Sequence, residues 1–296
     1  MFSNLFFIIN GRLSTKKIEK IISFSKEIFG AESCTFLITQ KANETTSLAY
    51  QAIEKNASAI ISVGGDGTLH EVLQAIADKK IPLGIIPMGS GNGLARQLNI
   101  ELKFEKALLQ LKESKIISID IGKLNNRYFI NSLGFGFDAK VCQDIQSASF
   151  RGLKMYVYYF IKNYFSYQPK LFSLKINDEQ FEDAYFMISI ANGKQFGYNF
   201  NIAPKASLND GFFDIILIKK MNLWHGMKFI LNSWQKKNTL SSKISYKKAK
   251  QLSIVTNEKI VQCDGDAFEE NAPFEITFSS HQLQVIVPKS LDLNKI

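Results

Sequence analysis

The run from Ile60 to Val72, IISVGGDGTLHEV, constrains this chain more than any other stretch. An apolar segment of strand character leads without a break into a glycine-rich turn and then into a helical pattern. Glycines at 64, 65 and 67 permit positive φ and let an anion approach main-chain amides that a Cβ would shield. The helix that follows presents its unpaired N-terminal amides to the same anion. The turn therefore predicts a phosphate-binding loop. A ligand-free strand-to-helix turn is the plainer alternative, but it does not require Asp66, whose carboxylate repels phosphate unless a cation or a proton stands between them.

Around this loop, residues 4–124 alternate strand-like and helix-like patterns. LFFIIN is followed by a helical face of Ile18, Ile21, Ile22, Ile28 and Phe29. CTFLIT precedes a helix from about Glu44, and SAIISV precedes one carrying Leu69, Val72, Leu73 and Ile76; LGIIP then leads to two further helical segments. Such alternation predicts an α/β domain with a parallel sheet covered by helices, residues 1–122, with ligands beyond the carboxyl ends of its strands. After about Gly122 the period changes to short strand-like runs such as RYFINSLGF, LFSLKI, AYFMISIAN and FEITF. These predict a mainly antiparallel β-sandwich domain over residues 123–296, whose last strand can return to the first domain. Two helices interrupt it, one near Arg151 to Phe165 and one with Leu223, Met227, Ile230, Leu231 and Trp234 at helical spacing.

Composition narrows the partners without choosing one. The chain has 36 basic and 27 acidic residues, a net charge of +9 that favours anionic partners such as nucleotide phosphate, anionic lipid or nucleic acid. Cys34, Cys142 and Cys263 are odd in number and far apart, so they are expected to be reduced, in a cytoplasmic setting. No uncharged run approaches the roughly 20 residues of a spanning helix, so membrane contact is expected to be peripheral. His70, His225 and His281 show no metal spacing.

A second glycine-rich loop, PMGSGNGLAR at residues 87–96, follows the strand LGII and again leads into a helix. Two strand-loop-helix anion sites at neighbouring strand ends can grip one polyphosphate. Ser90 and Asn92 offer side-chain donors, and Arg96 offers a planar fork to phosphate charge.

GGDGT with Glu71, the PxGSGN loop with Arg96, the run SIDIG at 118–122, FINSLGFGFDA, IAPKASLNDGFFD and the late Asp264-Gly265-Asp266 occur in the order found in the diacylglycerol kinase catalytic family of lipid kinases, which the chain resembles over nearly its whole length. The His70-Glu71 pair and the GSGN form look more like its sphingosine kinase branch. The resemblance implies ATP-dependent transfer of the γ-phosphoryl group to a lipid hydroxyl, of diacylglycerol or sphingoid type. Thr39, Gly64, Gly65, Asp66, Gly67, Thr68, Leu69, His70 and Ser90 match the nucleotide site, joined by Asn92 and Arg96 from the reading above. Asp264 matches the proton acceptor, with Asp66 as a rival for that role or as an organiser of Mg²⁺. Asp138 matches a contact to the polar head of the acceptor lipid. Asp210, with main-chain carbonyls at Ser207 and Phe212, matches a structural Mg²⁺ position of bacterial relatives. The implied partners are ATP, a lipid and an anionic membrane surface rather than nucleic acid, and nothing sets the oligomeric state.

Three positions depart from the family pattern. Asn10-Gly11 replaces an Asn-Pro-x-Ser-Gly loop, with Arg12 nearby to supply phosphate contacts; Gly93 stands where relatives carry Asp or Ala; Asp266 replaces Glu. An NAD kinase, which shares GGDGT, and a catalytically silent nucleotide- or membrane-binding module are the rival readings. The aromatic stretch 150–167 reads as an amphipathic helix packed on the β domain or as a guide for acyl chains, and Lys236, Lys237, Lys243, Lys247, Lys248 and Lys250 form a basic zone.

Overall fold

A computed structural model describes residues 3–148, 152–194, 200–235, 237, 241–293 and 296. Phe150, Arg151 and Lys236 of the segments named above lie outside the described residues. The chain divides into two compact units, residues 1–121 with 279–296, and residues 122–278.

The first unit runs β1 (Leu5–Ile9), α1 (Thr15–Phe29), β2 (Cys34–Ile38), α2 (Thr45–Glu54), β3 (Ala59–Gly64), α3 (Asp66–Ile76), β4 (Leu83–Pro87), α4 (Gly93–Gln97), α5 (Phe104–Lys112) and β5 (Ser114–Ile119). Its sheet has the order β2, β1, β3, β4, then the strand Leu283–Pro288 from the end of the chain, then β5. Every residue of β1, β3 and β4 is buried, which is why these strands read as unbroken apolar runs rather than alternating ones. Pairing is parallel from β2 through to Leu283–Pro288, whereas β5 runs antiparallel to that last strand. The sheet is therefore mixed where a parallel one was expected. Pairing between residues 114–119 and 283–288 leaves no trace in local periodicity.

The second unit contains β6 (Gly122–Leu124), β7 (Arg127–Phe129), β8 (Ser132–Gly136), α6 (Phe137–Gln146), α7 (Leu153–Tyr164), β9 (Lys170–Ile176), β10 (Glu179–Tyr185), β11 (Met187–Ala191), β12 (Phe213–Ile218), α8 (Leu223–Trp234), β13 (Ile244–Ala249), β14 (Leu252–Val255), β15 (Ile260–Cys263), β16 (Asp266–Glu269) and β17 (Phe274–Phe278); Leu283–Pro288 is then β18. Its strands form two antiparallel sheets, β10-β9-β14-β17-β6-β7 and β13-β12-β11-β8-β15-β16. Their inner faces meet in an aromatic core. Phe135 of β8 packs edge-on against Phe274 of β17 at 5.0 Å, and Phe213 of β12 stacks on Phe278 at 3.9 Å.

Three described helices accompany this sandwich, one more than the sequence suggested. The third, α6, starts at Phe137 directly after the apolar strand β8, where the strand-like run of residues 127–135 gives no sign of a helix. Helix α8 turns its apolar residues differently from expectation: Phe229 is buried, while Trp224, Met227, Leu231 and Trp234 are exposed.

Candidate functional site

In the first unit, the residues matched to a nucleotide site collect at the carboxyl edge of the parallel strands. Asn10 and Gly11 follow β1, Thr39 follows β2, Gly65 follows β3 and Met88 follows β4. Their loops are fastened to one another. The Gly11 amide donates to Thr39 Oγ1 at 2.9 Å, and Asn10 Nδ2 donates to Thr68 Oγ1 at 2.9 Å. Strands β3 and β4 pair with Gly64 opposite Pro87, so the two glycine loops leave neighbouring strands. They touch through glycine backbone: a Cβ on Gly89 would lie 2.7 Å from the Gly65 Cα and one on Gly65 would lie 3.2 Å from the Gly89 Cα, so Gly89 has no room for a side chain and Gly65 has little.

This packing explains the acid that phosphate binding alone does not. Asp66 opens α3, and its carboxylate accepts hydrogen bonds from the Asn92 amide at 2.8 Å and the Gly93 amide at 2.9 Å. The amides at the start of α4 therefore bind a carboxylate of this chain. The second loop braces the first, and two of the amides its sequence offers to an anion, those of Asn92 and Gly93, are taken by Asp66. Asn92 holds the left-handed turn (φ 51°) by accepting from the Gly89 amide and donating to the Gly89 carbonyl. Arg96 bends back so that Nε donates to the Gly91 carbonyl at 2.8 Å, so part of its fork closes the loop. Ser90 is exposed, Leu69 and His70 are buried on α3, and His70 Nε2 lies 3.3 Å from Gln74 Nε2. Glu71 accepts from the Thr45 amide and so caps the entry to α2.

In the second unit, Asp264 sits in a cradle of main-chain amides. Its Oδ1 accepts from Asn131 at 2.7 Å and Ser132 at 3.0 Å, and its Oδ2 from Ile130 at 2.9 Å. The cradle is itself fixed: Asn192 Nδ2 donates to the Ile130 carbonyl at 2.7 Å, and the Asn192 and Gly193 amides donate to the Asn131 carbonyl. Asp264 takes a left-handed conformation (φ 51°), consistent with a tight turn between β15 and β16. An ionised carboxylate offers about four acceptor sites, and three of them here are met by main-chain amides that fix its orientation. Asp266 begins β16, opposite Cys263.

Asp138 lies in the first turn of α6, where Oδ1 accepts from the Ala139 amide at 2.8 Å and Oδ2 from Gln262 Nε2 at 3.3 Å. Burial of its carboxyl group raises it to about 7, against the opposing pull of those two donors. Gly134 makes this possible, because a Cβ there would overlap the Asp138 carboxylate. Gln262 at Asp138 and Asn192 at the Asp264 cradle carry these arrangements, yet each lies in or beside an ordinary apolar strand run with no motif to mark it.

At the turn matched to a structural cation, both carboxylate oxygens of Asp210 are engaged within the chain. Asp210 Oδ1 accepts from the Phe212 amide at 3.0 Å, and Oδ2 accepts from the Lys248 ammonium at 2.8 Å. Ser207 Oγ donates to Asn209 Oδ1. A resident Mg²⁺ at Asp210 does not fit this arrangement, because a lysine already fills the cation's place.

The three cysteines are free thiols, Cys142 and Cys263 buried and Cys34 partly so. Among the described residues no helix is long and apolar enough to cross a membrane.

Residues 4–124 match the diacylglycerol kinase catalytic domain family, and residues 131–292 match the YegS C-terminal NAD kinase beta sandwich-like domain family. A diacylglycerol kinase of Staphylococcus saprophyticus is 30% identical over 267 residues, covering 87% of this chain and 86% of that protein. A diacylglycerol kinase of Staphylococcus carnosus is 28% identical over 294 residues, covering 95% and 93%. The crystal structure of a diacylglycerol kinase from Bacillus anthracis superposes with a TM-score of 0.76 at 20% identity, covering 98% of this chain and 99% of that one, which shows a shared fold. The chain belongs to the diacylglycerol kinase family and is an enzyme of the lipid kinase type.

Proposed function

We propose that the chain transfers the γ-phosphoryl group of ATP to the free hydroxyl of diacylglycerol at a membrane surface. The observation that carries this reading is the Gly64–Thr68 turn. It opens onto the N-terminus of α3 at the carboxyl edge of the sheet, with Asp66 turned onto the amides of the neighbouring loop and so directed away from the phosphate role. Amides at a helix start suit phosphate oxygens. Diacylglycerol is preferred as acceptor because curated relatives that align with this chain over 86% and 93% of their own length carry that activity in their names.

In this reaction the lipid hydroxyl oxygen attacks the γ-phosphorus, the bond to the β–γ bridging oxygen breaks, ADP leaves, and Asp264 takes the hydroxyl proton. Little covalent chemistry falls to the protein, so positioning and charge neutralisation dominate. Mg²⁺ arriving with ATP supplies part of that neutralisation. The amide cradle gives Asp264 one fixed orientation before substrate arrives. Asp138, whose carboxyl group titrates near neutrality, binds the polar head of the acceptor. Asp66 acts as a positioning residue for the two loops.

Helices α7 and α8 supply the membrane contact. Val157, Tyr158, Ile161 and the following Phe165 are exposed on the first, and Trp224, Met227, Leu231 and Trp234 on the second. Tyr164 Oη donates to the Met221 carbonyl at 3.0 Å, tying the end of α7 to the approach to α8. Neither helix contains an acidic residue, and Lys154, Lys162 and Lys228 are exposed on them, which suits an anionic bilayer.

The test offers radiolabelled ATP to the protein with diacylglycerol vesicles, a long-chain base and NAD side by side. Label in phosphatidic acid, with Asp264→Asn lowering kcat about 10²- to 10⁴-fold, is the expected result. Label in NAD alone, or in no acceptor at all, overturns the proposal.

A further inference from the structure

The turn leading into β12 carries two carboxylates and a crowd of lysines. Asp210 and Asp214 both face Lys248, at 2.8 Å and 3.4 Å from its ammonium nitrogen. Lys248 does not reach in from a distant loop; it is the direct cross-strand partner of Asp214 in the β12–β13 ladder. Asp214 is the more buried acid, with a side-chain exposure of 14% against 31% for Asp210. Burial raises the Asp214 carboxyl group from its ordinary range, and Lys205 and Lys248 both act in the opposite sense. A third lysine, Lys250, places its ammonium 5.3 Å from the centre of the Phe212 ring.

Lys205, Lys248 and Lys250 surround the two carboxylates at this turn, and the buried Asp214 Oδ2, which accepts no hydrogen bond, has the Lys248 ammonium 3.4 Å away. A divalent cation bound to Asp210 through Oδ2 would sit within a few ångströms of the Lys248 ammonium, which already donates to that oxygen. The ammonium also satisfies the function a structural ion would have, joining the Ser207–Phe212 turn to strand β13. We infer that this chain holds the Asp210 turn with its own tethered cation, Lys248, in place of a bound divalent ion. The Mg²⁺ that accompanies ATP is a separate matter, since it enters with the nucleotide.

Thermal unfolding of nucleotide-free protein tests this independently of whether any lipid is phosphorylated. The wild-type midpoint is expected to be the same in EDTA and in millimolar MgCl₂. Lys248→Met is expected to lower the midpoint by a few degrees, while Lys248→Arg, which keeps the charge, stays near wild type. Adding Asp210→Asn to Lys248→Met is expected to cost less than Asp210→Asn does alone, the signature of a coupled pair. The inference is overturned if MgCl₂ raises the wild-type midpoint and Asp210→Asn abolishes that rise. It is equally overturned if Lys248→Met melts with the wild type.

Discussion

Replacing Asp264 with asparagine is the obvious test of a proton acceptor, and the amide cradle makes it a stability perturbation as well. The carboxylate accepts three main-chain hydrogen bonds, from Ile130, Asn131 and Ser132. Asparagine tolerates the left-handed backbone at this position (φ 51°), so the change adds little conformational strain. Its side chain has one acceptor oxygen, however, and an NH₂ group where the second oxygen was. With the oxygen kept against Asn131 and Ser132, those two bonds lose their charge assistance, about 1 kcal/mol each, and the Ile130 amide faces another donor, a further cost of about 1–3 kcal/mol. Asp264 is only half-buried, so water relieves part of the last cost, and we expect Asp264→Asn to destabilise the second unit by about 2–3 kcal/mol. Equilibrium urea unfolding of the nucleotide-free protein measures this as a lower midpoint at unchanged slope. Kinetic losses in this variant are therefore to be compared at a denaturant-free temperature where both proteins are folded. A variant within about 0.5 kcal/mol of wild type, the range of ordinary surface substitutions, would refute the cradle as the element that holds the acid.

Other consequences follow from the same structure. Because burial lifts the Asp138 carboxyl group to about 7 from an ordinary 3.8, the folded protein binds the extra proton and loses stability as pH rises from about 4 to about 7. Asp138→Asn should therefore melt with wild type near pH 4 and above it at pH 8, by at most about 4 kcal/mol; parallel melting curves at both pH values would contradict this. Gly89→Ala forces a Cβ to 2.7 Å from Gly65, and the overpacking predicts a rise of about 10- to 100-fold in KM for ATP with the lipid KM unchanged. Trp224→Asp on the exposed face of α8 should weaken sedimentation with anionic vesicles at least about tenfold while leaving turnover of a detergent-dispersed lipid intact.

The α/β architecture was legible because the central strands β1, β3 and β4 are buried along their whole length, and only a sheet covered on both faces produces such unbroken apolar runs next to amphipathic helices. The sandwich was legible from its alternating strands, as in β9, where Phe172, Leu174 and Ile176 point inward and Leu171, Ser173 and Lys175 do not. Direction was not. The antiparallel turn of β5 depends on a partner at the other end of the chain. Helix α8 is apolar on most of its circumference, so spacing alone could not say that Phe229 faces inward while Trp224 and Leu231 face out. At the site, the acids themselves stood out by type and order, but their partners did not. Asp66 meets amides 26 and 27 positions away, and Asp264 meets amides more than 130 positions away. Main-chain donors carry no side-chain identity for a sequence to display.

That last point bears on how the acids work. Asp66, Asp264, Asp138 and Asp210 each accept a hydrogen bond from a backbone amide, and for Asp66 and Asp264 every oxygen is so engaged. Amides fixed in a turn are dipoles whose orientation is set during folding, so they hold a negative charge without reorganising when substrate binds. The arrangement also ties each acid to the geometry of a loop: Asp66 to the close approach of Gly65 and Gly89, Asp264 to the Asn192-braced segment 130–132, and Asp138 to the space left by Gly134. A substitution at Gly65, Gly89 or Asn192 therefore displaces a carboxylate without touching it, and one at Gly134 displaces Asp138 by direct overlap. In each unit the glycines and Asn192 set the geometry as fully as the acids they position.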